Sequence, residues 1–274
     1  MRRGGEALLL VAAAVAACDR PEPLLICHNA NCVGAVDPDD DDDPEVLRAS
    51  LALRHDGRPA IDGVELDTLW HRPSGACLFE HGPGETLPPD TVAEAIAIVA
   101  AHLAQDDVAW NGERFHVFLE LKPYVAARWD AHTDAEVAAH VACVLDAYDQ
   151  LVAAAAGRHR LRIVFESSAR LLAALVAHPR WPGRRDGDVE VRLAVEAELL
   201  VGADFPAPEV AVDILEYVPG ALTDAQHAAF VARDLELSAW MYVATPETLA
   251  TIARHRPRYV VTGEALLLRR WIAR

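Results

Sequence analysis

The feature that most constrains this chain is a repeated alternation of two kinds of segment. Short runs of apolar and β-branched residues occur at 24–27, 61–66, 115–121, 161–165, 189–195, 210–215, 237–243 and 258–261. Between them, 91–103, 135–156, 168–177, 224–233 and 246–254 carry alanine and leucine at helical spacing. Thr133, Ser167, Thr223 and Thr245 stand at or near the front of helical stretches as capping candidates, and Thr133 has Glu136 three residues on, the spacing of a capping box. Eight strand candidates separated by helices predict an α/β fold. A (β/α)₈ barrel in a single domain over residues 24–274 accounts for the count, and an open doubly wound sheet shares the rhythm. The 189–195 run is the least regular of the eight, because it contains Glu190 and Arg192.

Two stretches break the pattern: 33–44, with aspartates throughout 39–43, and 70–89, rich in glycine and proline. Both follow strand candidates, so a barrel would place them on its C-terminal face, where such folds build catalytic sites. The aspartate run reads as a solvated loop, since it lacks the glycine and terminal glutamate of an EF-hand loop.

Polar residues concentrate where the early runs end. The first run leads into His28 and Asn29. Glu65 and Asp67 are two apart on the second, so they face the same side. Two carboxylates facing a barrel interior repel unless a cation or a proton lies between them, and hard oxygen ligands suit Mg²⁺ or Ca²⁺. On the third run Glu120 and Lys122 repeat the arrangement with one acid and one base. His81 falls between the second and third runs. The remaining histidines read as structural, although His116, four before Glu120, shares its facing; Arg54 and Arg58 read as surface residues.

In this order the residues resemble the phospholipase-C-like phosphodiesterase superfamily, which includes glycerophosphodiester phosphodiesterases and sphingomyelinase D-type phospholipases. The matching positions are His28, Glu65-Leu66-Asp67, His81 and Glu120-Leu121-Lys122, together with the late stretches 239–243 and 257–262. The resemblance covers nearly the whole chain after residue 23. It implies a TIM barrel and a phosphodiester substrate, a glycerophosphodiester or a phospholipid head group. It further implies one divalent cation, Mg²⁺ or Ca²⁺, on Glu65, Asp67 and Glu120, with His28 and His81 as the acid/base pair. Lys122 and Asn29 would meet the phosphate, and Trp240 is either a pocket wall touching the head group or a core residue. An internal hydroxyl as nucleophile would yield a cyclic phosphate. Two departures stand out: the His-Arg-Gly of the glycerophosphodiesterases is His28-Asn29-Ala30 here, and their Glu-Asn-Thr is missing. The aspartate run or Glu45 is the candidate replacement for the missing carboxylate. Two rival functions follow from these changes: an inactive barrel that binds a phosphorylated ligand, and a metal-independent lyase of the phosphatidylinositol phospholipase C type.

Residues 1–18 read as a signal peptide, with Arg2 and Arg3 before an apolar run too short to span a bilayer. Val15-Ala16-Ala17-Cys18 resembles the lipobox of bacterial lipoproteins, which implies acylation of Cys18, a short tether over 19–23 and a membrane-anchored protein on the periplasmic or extracellular face. In such a compartment Cys27 and Cys32 are candidates for a small disulfide loop, the alternative being buried free thiols. With 42 acidic against 25 basic side chains, the net charge of −17 argues against a nucleic-acid partner.

Overall fold

The computed structural model describes residues 22–33, 41–81, 90–112, 114–125, 130–196 and 211–272. Eight parallel strands hydrogen-bond in a closed ring: β1 (Leu24–Cys27), β2 (Gly63–His71), β3 (Arg114–Val125), β4 (Arg160–Ser167), β5 (Val189–Glu196), β6 (Ile214–Tyr217), β7 (Glu236–Met241) and β8 (Tyr259–Thr262). β8 returns to β1, and β2 bridges β1 and β3, so the ring has no open edge and the doubly wound alternative is excluded. Seven helices are present among the described residues: α1 (Pro44–Leu51), α2 (Val92–Leu103), α3 (Asp134–Ala155), α4 (Ala169–Ala177), α5 (Asp224–Val231), α6 (Pro246–His255) and α7 (Ala265–Ile272). The signal-peptide reading, Cys18 and most of the tether lie outside the described residues, as do Asp39 and Asp40.

Local chemistry explains the helix starts. Thr133 and Thr223 form full capping boxes with Glu136 and Gln226, and Thr245 does so with Thr248. Ser168, not Ser167, occupies the N-cap of α4, while the Ser167 hydroxyl donates to the Leu121 carbonyl. α1 and α7 were not expected. α1 begins at a strong signal nonetheless: Asp43 accepts from the amides of Glu45 (2.6 Å) and Val46 (2.9 Å), with Pro44 in the first turn. α3 is long and apolar enough to cross a membrane, but its Val137, Val141, Val144 and Leu145 belong to the layer packed between barrel and helices.

The barrel interior is built in layers. Ile26, Phe118, Val164, Ala194, Ile214 and Val261 fill its middle. Below them, Arg162 meets Glu190 and Glu236 (2.7 Å), and Tyr259 also donates to Glu236. This polar floor explains the charges on β5, and His116 belongs to the same end, its ring 5.6 Å from that of Tyr259. A Cβ on Gly63 would overlap the carbonyl oxygen of His116, so only glycine lets β2 and β3 approach here. Side chains alternate in a strand, so two residues above the apolar layer the inward positions become Glu120, Glu166, Glu196 and Glu216. This carboxylate layer lies at the C-terminal end of the barrel.

Part of the stretch expected to be irregular is ordered. β2 runs on to His71, and a return strand, Ala76–Phe79, pairs with it antiparallel, Thr68 opposite Phe79. The hairpin carries His81 back over the end of β2. A disulfide between Cys77 and Cys143 ties it to α3, and a second joins Cys27 to Cys32 around His28 and Asn29.

Candidate active site

The register of β2 and β3 sets Asp67 beside Glu120, and the β3–β4 register sets Glu120 beside Glu166. Ligand oxygens of Glu65, Asp67 and Glu120 all lie within 4.8 Å of one another. Lys122 Nζ reaches into this group, 2.7 Å from Glu120 Oε1 and 3.1 Å from Asp67 Oδ2. Asp67 Oδ2 also meets His81 Nδ1 at 2.7 Å, whereas Asp67 Oδ1 is buried without a partner among the described residues. His28 Nε2 lies 3.8 Å from Glu65 Oε2, and the same oxygen accepts the Asn29 amide at 3.2 Å. Asn29 and Ala30 have positive φ, 43° and 60°, so the chain turns sharply straight after His28. The Cys27–Cys32 bridge closes that turn.

A cavity of about 240 Å³ opens onto His28, Glu65, His81, Glu120, Lys122 and Trp240. Trp240 both lines this cavity and packs on the barrel core; its ring meets His28 at 5.1 Å and Tyr242 at 5.0 Å. Seven of the eight residues singled out from the sequence thus face the cavity or its carboxylates directly. Asn29 stands behind them, its amide nitrogen 3.2 Å from His81 Nδ1 and 3.5 Å from Asp41 Oδ2. The close carboxylate puts the ring proton on Nδ1, so the amide buttresses His81 without donating to it.

Electrostatics separate the acids. Burial disfavours the charged form of Asp67, but Lys122 and the His81 hydrogen bond outweigh it and hold this carboxyl below its ordinary range. Burial, then the charges of Glu216, Asp67 and Glu120, push Glu65 well up. Glu120 is also raised by burial, against the opposing pull of Lys122. Burial drives His28 down to about 3 and keeps its imidazole neutral, with Lys122 and His81 adding to the effect of burial and Asp67 resisting it. Burial lowers and the carboxylates raise Lys122; the carboxylates win.

Several groups at the site were not picked out from the sequence. Asp42 is buried, with both carboxylate oxygens unpartnered among the described residues, and can meet the same ion-sized space as Asp67 and His81. One member of the aspartate run is therefore turned inward, while Glu45 is exposed on α1. Glu166, Glu196, Glu216 and Tyr242 complete the surroundings. Tyr242 meets the His28 ring at 4.5 Å, and Tyr124 fixes the hairpin end by donating to the His81 carbonyl (2.8 Å). Arg54 and Arg58 lie outside the site: Arg54 caps the carbonyl of Leu51, and Arg58 stacks on Trp110 at 4.2 Å.

The acids suit a hard divalent cation. An oxygen with no donor among the described residues, in a group already rich in negative charge, could serve as a ligand to such an ion.

No family model matches the sequence, and no curated protein sequence matches it. Solved structures do. A phosphodiesterase from Oleispira antarctica, in complex with the product sn-glycerol-3-phosphate, aligns with a TM-score of 0.60 at 12% identity, over 92% of this chain and 98% of that one. A glycerophosphodiester phosphodiesterase from Agrobacterium tumefaciens aligns at 0.51 and 16% identity, over 89% and 96%. A calcium-dependent phosphoinositol-specific phospholipase C from Pseudomonas sp. gives 0.51 and 10%, over 87% and 88%. The closed barrel of this chain is therefore the fold that these three solved structures share.

Proposed function

We propose that the protein is a divalent-metal phosphodiesterase that cleaves a glycerophosphodiester or the head-group phosphodiester of a phospholipid. The observation that carries this reading is the meeting of Glu65, Asp67 and Glu120 within 4.8 Å, with His28 and His81 against two of them and Lys122 among them. The bound cation, Mg²⁺ or Ca²⁺, would sit on these three carboxylates and supply charge to polarise the phosphoryl oxygens. Lys122 adds a fixed positive charge at the same phosphate. One histidine takes the proton of the attacking hydroxyl and the other returns one to the departing oxygen. Asp67 fixes His81 through Nδ1, which leaves Nε2 for that exchange; Asn29 braces the ring. Trp240 and Tyr242 form the wall for the head group. An attacking hydroxyl within the substrate gives a cyclic phosphate, and water gives an open one.

Purified protein assayed on glycerophosphocholine, sphingomyelin and bis-p-nitrophenyl phosphate with Mg²⁺ or Ca²⁺ tests the reading, and phosphorus NMR distinguishes cyclic from open product. No turnover with any metal, together with unchanged ion binding in Glu65→Ala, would refute it. One observation favours a metal-independent lyase instead: Lys122 Nζ already bridges Asp67 and Glu120. Activity that survives a chelator supports that alternative.

We further propose export and lipidation at Cys18. The two disulfides support an oxidising compartment. Incorporation of labelled palmitate that is lost in Cys18→Ser would establish the anchor; label retained in that variant would refute it.

A further inference from the structure

The six buried carboxylates at the top of the barrel are more than one cation and Lys122 can balance. Asp42, Glu65, Asp67, Glu120, Glu166 and Glu216 are all nine-tenths or more removed from solvent, and Lys122 is the buried ammonium among them. One divalent ion on Glu65, Asp67 and Glu120 leaves a net negative charge in a space from which water is largely excluded. Unbalanced buried charge is strongly destabilising unless it is paired.

The excess is localised. Ligand oxygens of Glu65, Glu166 and Glu216 lie within 4.8 Å of one another, a group distinct from Glu65, Asp67 and Glu120 except for the shared Glu65. Oxygens bound to one Ca²⁺ at roughly 2.3–2.6 Å can be no more than about 5 Å apart, so the three fit a single ion. Both oxygens of Glu166 are completely buried and have no N–H or O–H donor among the described residues, although its carboxyl points into this group. Glu216 accepts the Ser238 hydroxyl at 3.0 Å and lies within hydrogen-bond reach of the Glu166 carboxyl. Such an arrangement holds a charged Glu166 only if something positive stands between it and its neighbours.

The geometry points to a second divalent-cation site formed by Glu65, Glu166 and Glu216, sharing Glu65 with the site proposed above. It deepens the metal-phosphodiesterase reading of the same pocket. Two divalent ions with Lys122 offset five of the six buried negative charges, and the cavity that opens onto Glu65, Glu120 and Glu216 lets a phosphate approach both. A proton shared by Glu166 and Glu216 is the competing means of relieving the repulsion, and it would exclude the ion.

The test counts ions on the purified full-length protein. Metal-free protein is saturated with Ca²⁺, and in parallel with Mn²⁺, then freed of excess and analysed for bound metal; titration calorimetry gives the affinities. The variants are Glu166→Gln, Glu216→Gln and Glu120→Gln, each checked for folding by circular dichroism; glutamine keeps the shape and removes like charge, so loss of fold is not expected. Two ions in the wild type and one in each of Glu166→Gln and Glu216→Gln is the expected result. One ion in the wild type, or two retained in both of these variants, overturns the inference. So does an infrared band of a protonated carboxyl in the metal-saturated protein that vanishes in Glu166→Gln. An ion lost in Glu120→Gln but not in Glu166→Gln sustains the first site and overturns the second; the reverse sustains the second and overturns the first.

Discussion

The carboxylate of Asp67 and the imidazole of His81 meet at 2.7 Å because the β2 hairpin folds back over its own strand end. The contact fixes the proton on Nδ1 and aims Nε2 toward the cavity, the orienting role that a buried acid plays for a catalytic base. Asp67→Asn keeps the shape but loses the charge that selects this tautomer. We expect kcat to fall by about 10²–10⁴-fold. His81→Ala should fall by a similar factor, and the double variant by less than the product of the two single losses, because part of what Asp67 does acts through His81. Steady-state kinetics on the three variants decide this; fully multiplicative losses would show that Asp67 and His81 act separately.

The hairpin that carries His81 is held from outside by Cys77–Cys143, a link across 66 residues. Closing a loop of that size in the unfolded chain stabilises the fold by about 4 kcal/mol on chain-entropy grounds. Cys77→Ser/Cys143→Ser should lower the unfolding free energy by about 2–5 kcal/mol. It should also reduce kcat more than it raises KM, since the freed strand positions His81. Urea unfolding and kinetics on the double serine variant measure both; unchanged kcat would mean that Tyr124 and the strand pairing hold His81 unaided.

The parts of the site visible in the sequence were those written as pairs. Glu65 with Asp67 and Glu120 with Lys122 share strand parity, so one period-2 argument places both members of each pair on the same side. Glu166 and Glu216 are single acids one residue beyond the apolar runs at 161–165 and 210–215, and a boundary drawn one residue short hides them. Asp42 is one aspartate of five; what turns it inward is a φ of 58° and a hydrogen bond donated by its backbone N–H to the Asn29 carbonyl, neither encoded in local composition. α1 did announce itself through Asp43 and Pro44, but its eight residues are too few for the periodicity to stand out beside the acidic run. The pairing of Cys77 with Cys143 is a product of tertiary structure, because spacing does not select partners that far apart.

His140 sits wholly buried on α3, its Nε2 2.9 Å from the Thr68 hydroxyl, which in turn donates to the Glu120 carbonyl at 2.8 Å. Burial, reinforced by nearby His132, pushes His140 down to about 3 from an ordinary value of 6.5. Folding therefore favours the neutral ring: its contribution is complete above pH 6.5 and is lost as the pH falls from 6.5 toward 3. By about pH 5 the loss reaches about 2 kcal/mol. Pocket carboxylates raised by burial respond in the opposite direction, so the wild type must be compared with His140→Gln, in which the amide replaces Nε2 at Thr68. The stability gap between the two, measured in urea, should shift by about 2 kcal/mol against the wild type between about pH 7.5 and about pH 5. A pH-independent gap would mean that His140 does not resist protonation in the folded protein.

Trp240 is the wall residue whose loss should separate binding from chemistry. Its ring leans edge-on against His28, and Tyr242 flanks both, so the indole presents one face to the cavity and leaves the carboxylates untouched. Removing it exposes His28 to water and takes away apolar surface on the order of 100 Å² or more, with an aromatic face suited to a quaternary ammonium head group. Trp240→Ala should raise KM for glycerophosphocholine about 10-fold or more, as expected for about 1.5–3 kcal/mol of lost contact. Trp240→Phe should recover most of that loss, while bis-p-nitrophenyl phosphate, which has no ammonium group, should show little rescue specific to the aromatic ring. Equal KM increases on both substrates would assign Trp240 to packing behind His28 and remove it from head-group recognition.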